Sequence, residues 1–205
     1  MKAQLIFFLL IVFSTPSQAG LVIEAGPSWV TTSKRSTDSE NTANYYGYSG
    51  KLAIGYSLFS TLDMGIDGIY SDQTAGNETY GKLKMSRYGL WGNIDFFDSF
   101  YLRYSSGINQ QTIENDQNLN DLNGTWNGQY NSLGIGGIIT ISKNSQSLVG
   151  INLTQSDLKN SNSDSQHTFD SFSVEVKFKI KSRSKSSGPS NSLIRSFVKS
   201  LNFFD

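Results

Sequence analysis

The chain has 205 residues with 17 basic and 17 acidic side chains, so its formal net charge is zero and its pI is near 6.6. That balance leaves no global basic field for nucleic acid, and the absence of cysteine excludes a disulfide framework, a thiolate metal site and a thiol nucleophile. Stability has to come from packing and backbone pairing.

Met1 and Lys2 supply a positive start, and Leu5 to Phe13 supply nine apolar residues in a row. The run is too short for a spanning helix, which needs ~20 apolar residues. Ser17 and Ala19 follow at the two small-residue positions that a signal peptidase reads, so residues 1–19 are expected to be a signal peptide cleaved before Gly20. With Gly at the first mature position, no lipid anchor is implied. The sequence beyond holds no apolar stretch long enough for a membrane helix. If the mature chain crosses a membrane, it must do so as a closed barrel that leaves no backbone group unpaired in hydrocarbon.

The mature sequence alternates with period 2, the mark of strands. The first predicted strand, Gly20–Thr31, sets Leu21, Ile23, Ala25 and Trp29 against Glu24, Gly26 and Ser28. The second, Tyr46–Leu58, sets Tyr46, Tyr48, Leu52, Ile54, Tyr56 and Leu58 against Gly47, Ser49, Lys51, Ala53, Gly55 and Ser57. In the third, Thr61–Tyr70, Leu62, Met64, Ile66 and Tyr70 oppose Asp63, Gly65 and Asp67. The fourth, about Leu83–Phe96, has Tyr88, Leu90, Ile94 and Phe96 opposite Arg87, Gly89, Trp91, Asn93 and Asp95.

The fifth, Phe100–Ile113, has Phe100, Leu102, Tyr104 and Ile108 opposite Tyr101, Arg103, Ser105 and Gly107. The sixth, Trp126–Ser142, carries Leu133, Ile135, Ile139 and Ile141 on one face, with Ser132, Gly134, Gly136, Thr140 and a lone Ile138 on the other. The seventh, Leu148–Gln155, carries Val149, Ile151 and Leu153. The eighth, Phe169–Ile180, sets Phe172, Val174, Val176, Phe178 and Ile180 against Ser173, Glu175, Lys177 and Lys179.

Eight strands is an even number, as single-chain outer-membrane barrels require. Three connections are short (59–60, 97–99 and 143–147) and four are long and polar (32–45, 71–82, 114–125 and 156–168). The sequence therefore predicts an all-β fold: an eight-stranded, antiparallel, up-and-down transmembrane β-barrel over residues 20–180, with turns on one side and loops on the other.

Aromatic residues concentrate near both ends of the strands. Trp29, Tyr45, Tyr46, Tyr48, Tyr70, Tyr80, Trp126 and Tyr130 lie on the loop side, and Tyr56, Phe59, Phe96, Phe97, Phe100, Tyr101 and Phe178 on the turn side. Two interfacial girdles are expected from them.

An eight-stranded barrel has an interior just wide enough for side chains. The polar rows, rich in Gly and Ser, leave room for Glu24, Lys51, Asp63, Asp67, Arg87, Asp95, Arg103, Glu175 and Lys177. Both signs occur, so a self-neutralising polar plug is expected, with little or no conductance. Lys82 and Lys84 share the outward row with Tyr80 and Tyr88 at the outer rim. Ammonium groups at that height can meet lipopolysaccharide phosphate or snorkel into solvent.

On these features the chain resembles the small outer-membrane barrel families typified by the transmembrane domain of OmpA and by OmpX. The resemblance covers Gly20 to Ile180 and rests on architecture: a signal peptide, eight alternating strands, three turns and four loops. It implies residence in a bacterial outer membrane, contact with its lipid and lipopolysaccharide, and insertion by the outer-membrane assembly machinery. In such families a terminal strand like Ser171–Ile180 is the assembly signal, and here 25 residues follow it.

Those residues, 181–205, begin as a Ser/Lys/Arg-rich periplasmic linker. Leu193, Ile194, Phe197, Val198 and Leu201 then recur at helical spacing, giving either a short amphipathic helix or a frayed tail.

Three functions stay open: a non-enzymatic barrel that displays its loops, a lipid A-modifying enzyme, and a narrow pore. Catalysis would need a His to activate a nucleophile. His167 is the single histidine, and the segment Gln166–Phe169 departs from the His-x-Ser pattern of the lipid A deacylase barrels. No catalytic residue, cofactor or metal is therefore expected. Asp116, Asn118 and Asn120 have the alternate spacing of a calcium loop but lack its glycine and its terminal glutamate.

Overall fold

A computed structural model describes residues 20–35, 43–59, 61–76, 81–114, 123–161 and 165–182. Its eight strands are β1 (Gly20–Arg35), β2 (Asn44–Phe59), β3 (Leu62–Ala75), β4 (Lys82–Phe96), β5 (Phe100–Glu114), β6 (Gly124–Ser142), β7 (Ser145–Asn160) and β8 (Gln166–Lys181). Each pairs antiparallel with its sequence neighbours, and β8 returns to β1 to close the barrel. Closure leaves no free edge, which lets a sheet stand in hydrocarbon without unpaired backbone groups.

The alternation dictates which face is which. Between Ile23 and Trp29, Leu52 and Tyr56, Tyr88 and Phe96, and Leu133 and Ile141, large apolar residues of the outward row are exposed, while Glu24, Ala53, Asn93 and Gly134 on the inward row are buried. The outside is oily and the inside is polar, the reverse of a water-soluble barrel. The three short hairpins join the strand pairs expected, and the β4–β5 turn keeps its bounds of 97–99. Phe97 and Asp98, the first two residues of the three-residue β4–β5 connection, have left-handed φ values of 52° and 55°, and the tight turn they make is closed by the Ser99 N–H donating to the Phe96 carbonyl at 3.1 Å.

Two expectations need correction. Each of the four long connections is shorter than its sequence bounds of 32–45, 71–82, 114–125 and 156–168, because regular strand continues to Arg35, Ala75, Glu114 and Asn160 and resumes at Asn44, Lys82, Gly124 and Gln166. The last short turn contracts likewise, β6 ending at Ser142 and β7 starting at Ser145. Crossing a bilayer takes only ~9–11 residues of tilted strand, whereas these strands run to 14–19 residues. The surplus projects past the loop-side boundary of the apolar belt.

The second correction concerns the girdles. Tyr45, Trp126, Tyr130 and Tyr101 are fully buried inside the barrel; Trp29, Tyr46, Tyr48, Tyr56, Tyr70, Phe96, Phe97, Phe100 and Phe178 do face outward. Parity decides this: β2 turns its even residues outward and β6 its odd ones, so Tyr45, Trp126 and Tyr130 have no choice but the lumen. The signal-peptide residues 1–19, Tyr80, the candidate calcium loop at 115–122 and the tail from 183 onward lie outside the described residues.

Along the projecting section the pattern inverts. On β4, Lys82 and Lys84 face out while Leu83 and Met85 face in. On β6, Asn127, Gln129 and Asn131 face out while Trp126 faces in; on β7, Asp157 and Lys159 face out while Leu158 faces in. Ala43, Tyr45, Leu83, Met85, Ile113, Trp126, Leu158 and Phe169 form one buried apolar cluster. The physical cause is a change of outside solvent from lipid to water. A barrel wall bathed in water folds around an apolar centre, and one bathed in hydrocarbon keeps its polar groups within.

Candidate functional site: the barrel lumen

Below the apolar cap, the lumen is occupied by two layers of charge. The first holds Arg103, on β5, whose guanidinium spans the interior to reach β1 and β3. It pairs with Glu24 through one nitrogen and donates from Nη2 to Asp67 at 3.1 Å. Its flat face lies 4.3 Å from the centre of the Trp91 ring, a cation–π arrangement that an arginine can combine with in-plane hydrogen bonds. Trp91 is itself anchored, its Nε1 donating to the Ile66 carbonyl at 3.0 Å.

Asp67 is shared. Lys51 Nζ approaches it at 3.3 Å and the Tyr130 hydroxyl donates to it at 3.3 Å. Across the lumen Lys177 pairs with Glu175, which also accepts from the Tyr101 hydroxyl at 3.2 Å. The Lys177 ammonium lies 5.1 Å from the Tyr101 ring centre. Glycines make the room: a Cβ on Gly150 would stand 2.2 Å from the Tyr101 hydroxyl, and one on Gly136 would stand 2.7 Å from the same ring.

The second layer closes the turn-side end. Lys179 pairs with Asp63, and its Nζ lies 3.1 Å from Asp95. Lys181 adds contacts of 3.0 Å and 3.4 Å to the same two carboxylates. Asn93 donates to Asp95 from within the layer.

All nine charged residues expected in the lumen from the alternation, Glu24, Lys51, Asp63, Asp67, Arg87, Asp95, Arg103, Glu175 and Lys177, are buried inside the barrel. Lys179 belongs with them, and its inward parity on the eighth strand was the available signal. The apolar cap is the part that a uniformly polar plug leaves out.

The remaining candidates lie apart from the two charge layers. Lys82 is exposed on the outer rim, and Lys84 Nζ meets Glu114 at 3.0 Å, so a carboxylate already neighbours one member of the pair. His167 lies inward and half-buried with its ring stacked on Trp126 at 5.0 Å. An aromatic packing role accounts for that geometry. On the wall of the projecting section, an open groove of about 460 Å³ is bordered by Asn127, Gln129, Asp157, Lys159, Gln166 and His167.

No protein-family model matches the chain, and no characterised protein matches it in sequence. Shape does match. Neisserial surface protein A (NspA) superposes with a TM-score of 0.56 at 13% identity, covering 79% of this chain and 97% of that one. Ail, the attachment invasion locus protein of Yersinia pestis, gives 0.52 at 9% identity over 80% and 99% of the two chains. The outer membrane protein AlkL in lipid bilayers gives 0.50 at 10% identity over 83% and 93%. At such identities the likeness is one of backbone architecture, and with the closed barrel, its lipid-compatible exterior and its charged interior it establishes that this chain has the fold of the small eight-stranded outer-membrane β-barrels.

Proposed function

We propose that the chain spans the outer membrane of a bacterium as a closed, non-enzymatic barrel and displays its four polar loops and the projecting wall at the cell surface, for envelope structure or for binding a surface partner. The observation that carries this reading is the filled lumen. Two layers of paired charge and an apolar cap occupy the axis in series, so the packed charge and an apolar seal that resists wetting each stand against an open water path. The names of NspA and Ail, a surface protein and an attachment protein, accord with display at the surface. The polar groove between Asn127 and His167 offers such a partner a binding face outside the lipid.

The test is planar-bilayer recording on the full chain, joined to a heat-modifiability gel on purified outer membranes. A compact band that shifts on boiling, with conductance absent or small and irregular, is the expected result. A steady large conductance from the monomer overturns the closed-lumen reading; absence of the compact band overturns the barrel in the membrane.

The rim follows from the same placement. Lys82 and Lys84 stand just beyond the apolar belt, where outer-leaflet phosphates lie, and ammonium groups pair with phosphate as point charges. Replacing both lysines with Gln is expected to lower thermal stability selectively in vesicles that contain lipopolysaccharide. Equal shifts in plain phospholipid vesicles would show that the lysines serve solvation alone.

A further inference from the structure

Charge inside the barrel does not quite balance, and the imbalance is local. In the turn-side layer Asp63 and Asp95 face Lys179 and Lys181, two against two. In the layer above, Glu24, Asp67 and Glu175 face Lys51, Arg87, Arg103 and Lys177, three carboxylates against four cations. Arg87 is the odd member. Its residue is 4% exposed, and among the described residues no carboxylate lies within ion-pairing distance of it.

Its contacts are neutral ones. One nitrogen donates to the Ser171 hydroxyl at 2.8 Å, and the guanidinium carbon lies 5.7 Å from the Tyr130 ring centre. Nε is buried with no protein acceptor. Asp67, the carboxylate that could have served, is already engaged by Arg103, Lys51 and Tyr130. A buried cation left without a counter-charge is costly, and natural interiors pair such groups.

Beside Arg87 lies an internal cavity of about 20 Å³, large enough for one water-sized or chloride-sized occupant. It is bordered by Arg87, Lys51 and Glu175 and by the hydroxyl-bearing Ser28, Ser49 and Thr154. Ser28 and Ser49 hydrogen-bond each other, which leaves one of their two protons to turn toward whatever the cavity holds, and Thr154, which donates to Ser132, can rotate to do the same. Two cations and a ring of adaptable donors make a site for a small monovalent anion, with Glu175 held away by its own bonds to Lys177 and Tyr101. We infer that the upper lumen binds one chloride-class anion between Arg87 and Lys51, and that this ion completes the neutralisation of the charged core.

The site lies within the lumen already described but does not depend on the surface role given to the barrel. Its test is therefore separate. The full chain is refolded in detergent in sodium chloride, sodium bromide and sodium gluconate at equal ionic strength, since gluconate is too large for the cavity. Thermal unfolding is expected to rise by roughly 3 °C in chloride and bromide over gluconate, the shift for a ligand present near ten times its Kd. The bromide form is expected to show an anomalous scattering peak between Arg87 and Lys51 in crystals. Arg87→Gln should abolish both the halide shift and the peak. Should that variant fail to fold, the wild-type bromide map decides alone. Equal melting in all three salts with no bromide peak would overturn the inference, and density in the cavity without anomalous signal would assign it to water.

Discussion

Arg103→Met is expected to destabilise the barrel by about 3–5 kcal/mol, the range for breaking a buried pair and leaving its partners charged. The reason lies in what stays behind. Glu24 loses the guanidinium that donates to it and balances its charge, while Asp67 keeps Lys51 and the Tyr130 hydroxyl. Trp91 loses the cation over its ring. Methionine fills much of the vacated volume, so the loss reports charge more than packing.

The prediction carries its own controls. Adding Glu24→Gln and Asp67→Asn to Arg103→Met should recover most of the loss, because a neutral interior of similar shape is often no less stable than the ion pair it replaces. Arg35→Met is the outer counterpart: its Nε and Nη2 donate to the two Asp170 carboxylate oxygens at 2.8 Å each, a bidentate but solvent-exposed pair at the upper end of the surface range. Exposed pairs contribute only about 0–1 kcal/mol, so that variant should melt almost as the parent does. Urea titration followed by the heat-modifiable band measures all three. An Arg103→Met loss no larger than that of Arg35→Met would show that the lumen pairs are solvated and that the interior is wet.

The strand count, the facing rows and the charged lumen were legible in the sequence because lipid on one side and a narrow interior on the other force a strict period of two. Asp63, Asp67, Arg87 and Arg103 fell on the inward row for no other reason than parity. The strand ends were harder. Above the belt the outward row becomes Asn127, Gln129, Asp157 and Lys159, and such residues resemble a loop to any reading that expects exposed strand to be apolar.

The missed signal lay on the other row. Leu83, Met85, Ile113, Trp126, Leu158 and Phe169 keep the inward parity through segments that look polar overall, so the alternation never stops; only its sense reverses. The aromatic girdles failed at Tyr45, Trp126 and Tyr130 because height along the strand was weighed there and parity was not. Which residues pair across the lumen depends on the stagger of all eight strands at once, and no local pattern holds that information.

Trp126→Ala tests the cap, and its expected effect is large but confined. The side chain is completely buried, stacked on His167 at 5.0 Å and edge-on to Phe169 at 5.9 Å. Removing a buried tryptophan costs about 3–5 kcal/mol through lost burial and the cavity that remains. The section below draws its stability from different contacts: backbone closure, a lipid-facing exterior and the two charge layers. The loss should therefore appear as local opening of the projecting wall rather than as collapse of the barrel. Hydrogen exchange is expected to accelerate at Gly124–Asn131 and Gln166–Phe169, while Leu133–Ile141 keeps its protection and the compact gel band persists. Conductance should stay low, since Arg103 and its partners still block the axis. Trp126→Phe, which keeps most of the apolar volume, should lie close to wild type. Uniform acceleration along every strand would mean that cap and charged core unfold as one unit, and the separation into two solvents' worth of architecture would then fail as an account of how this barrel holds together.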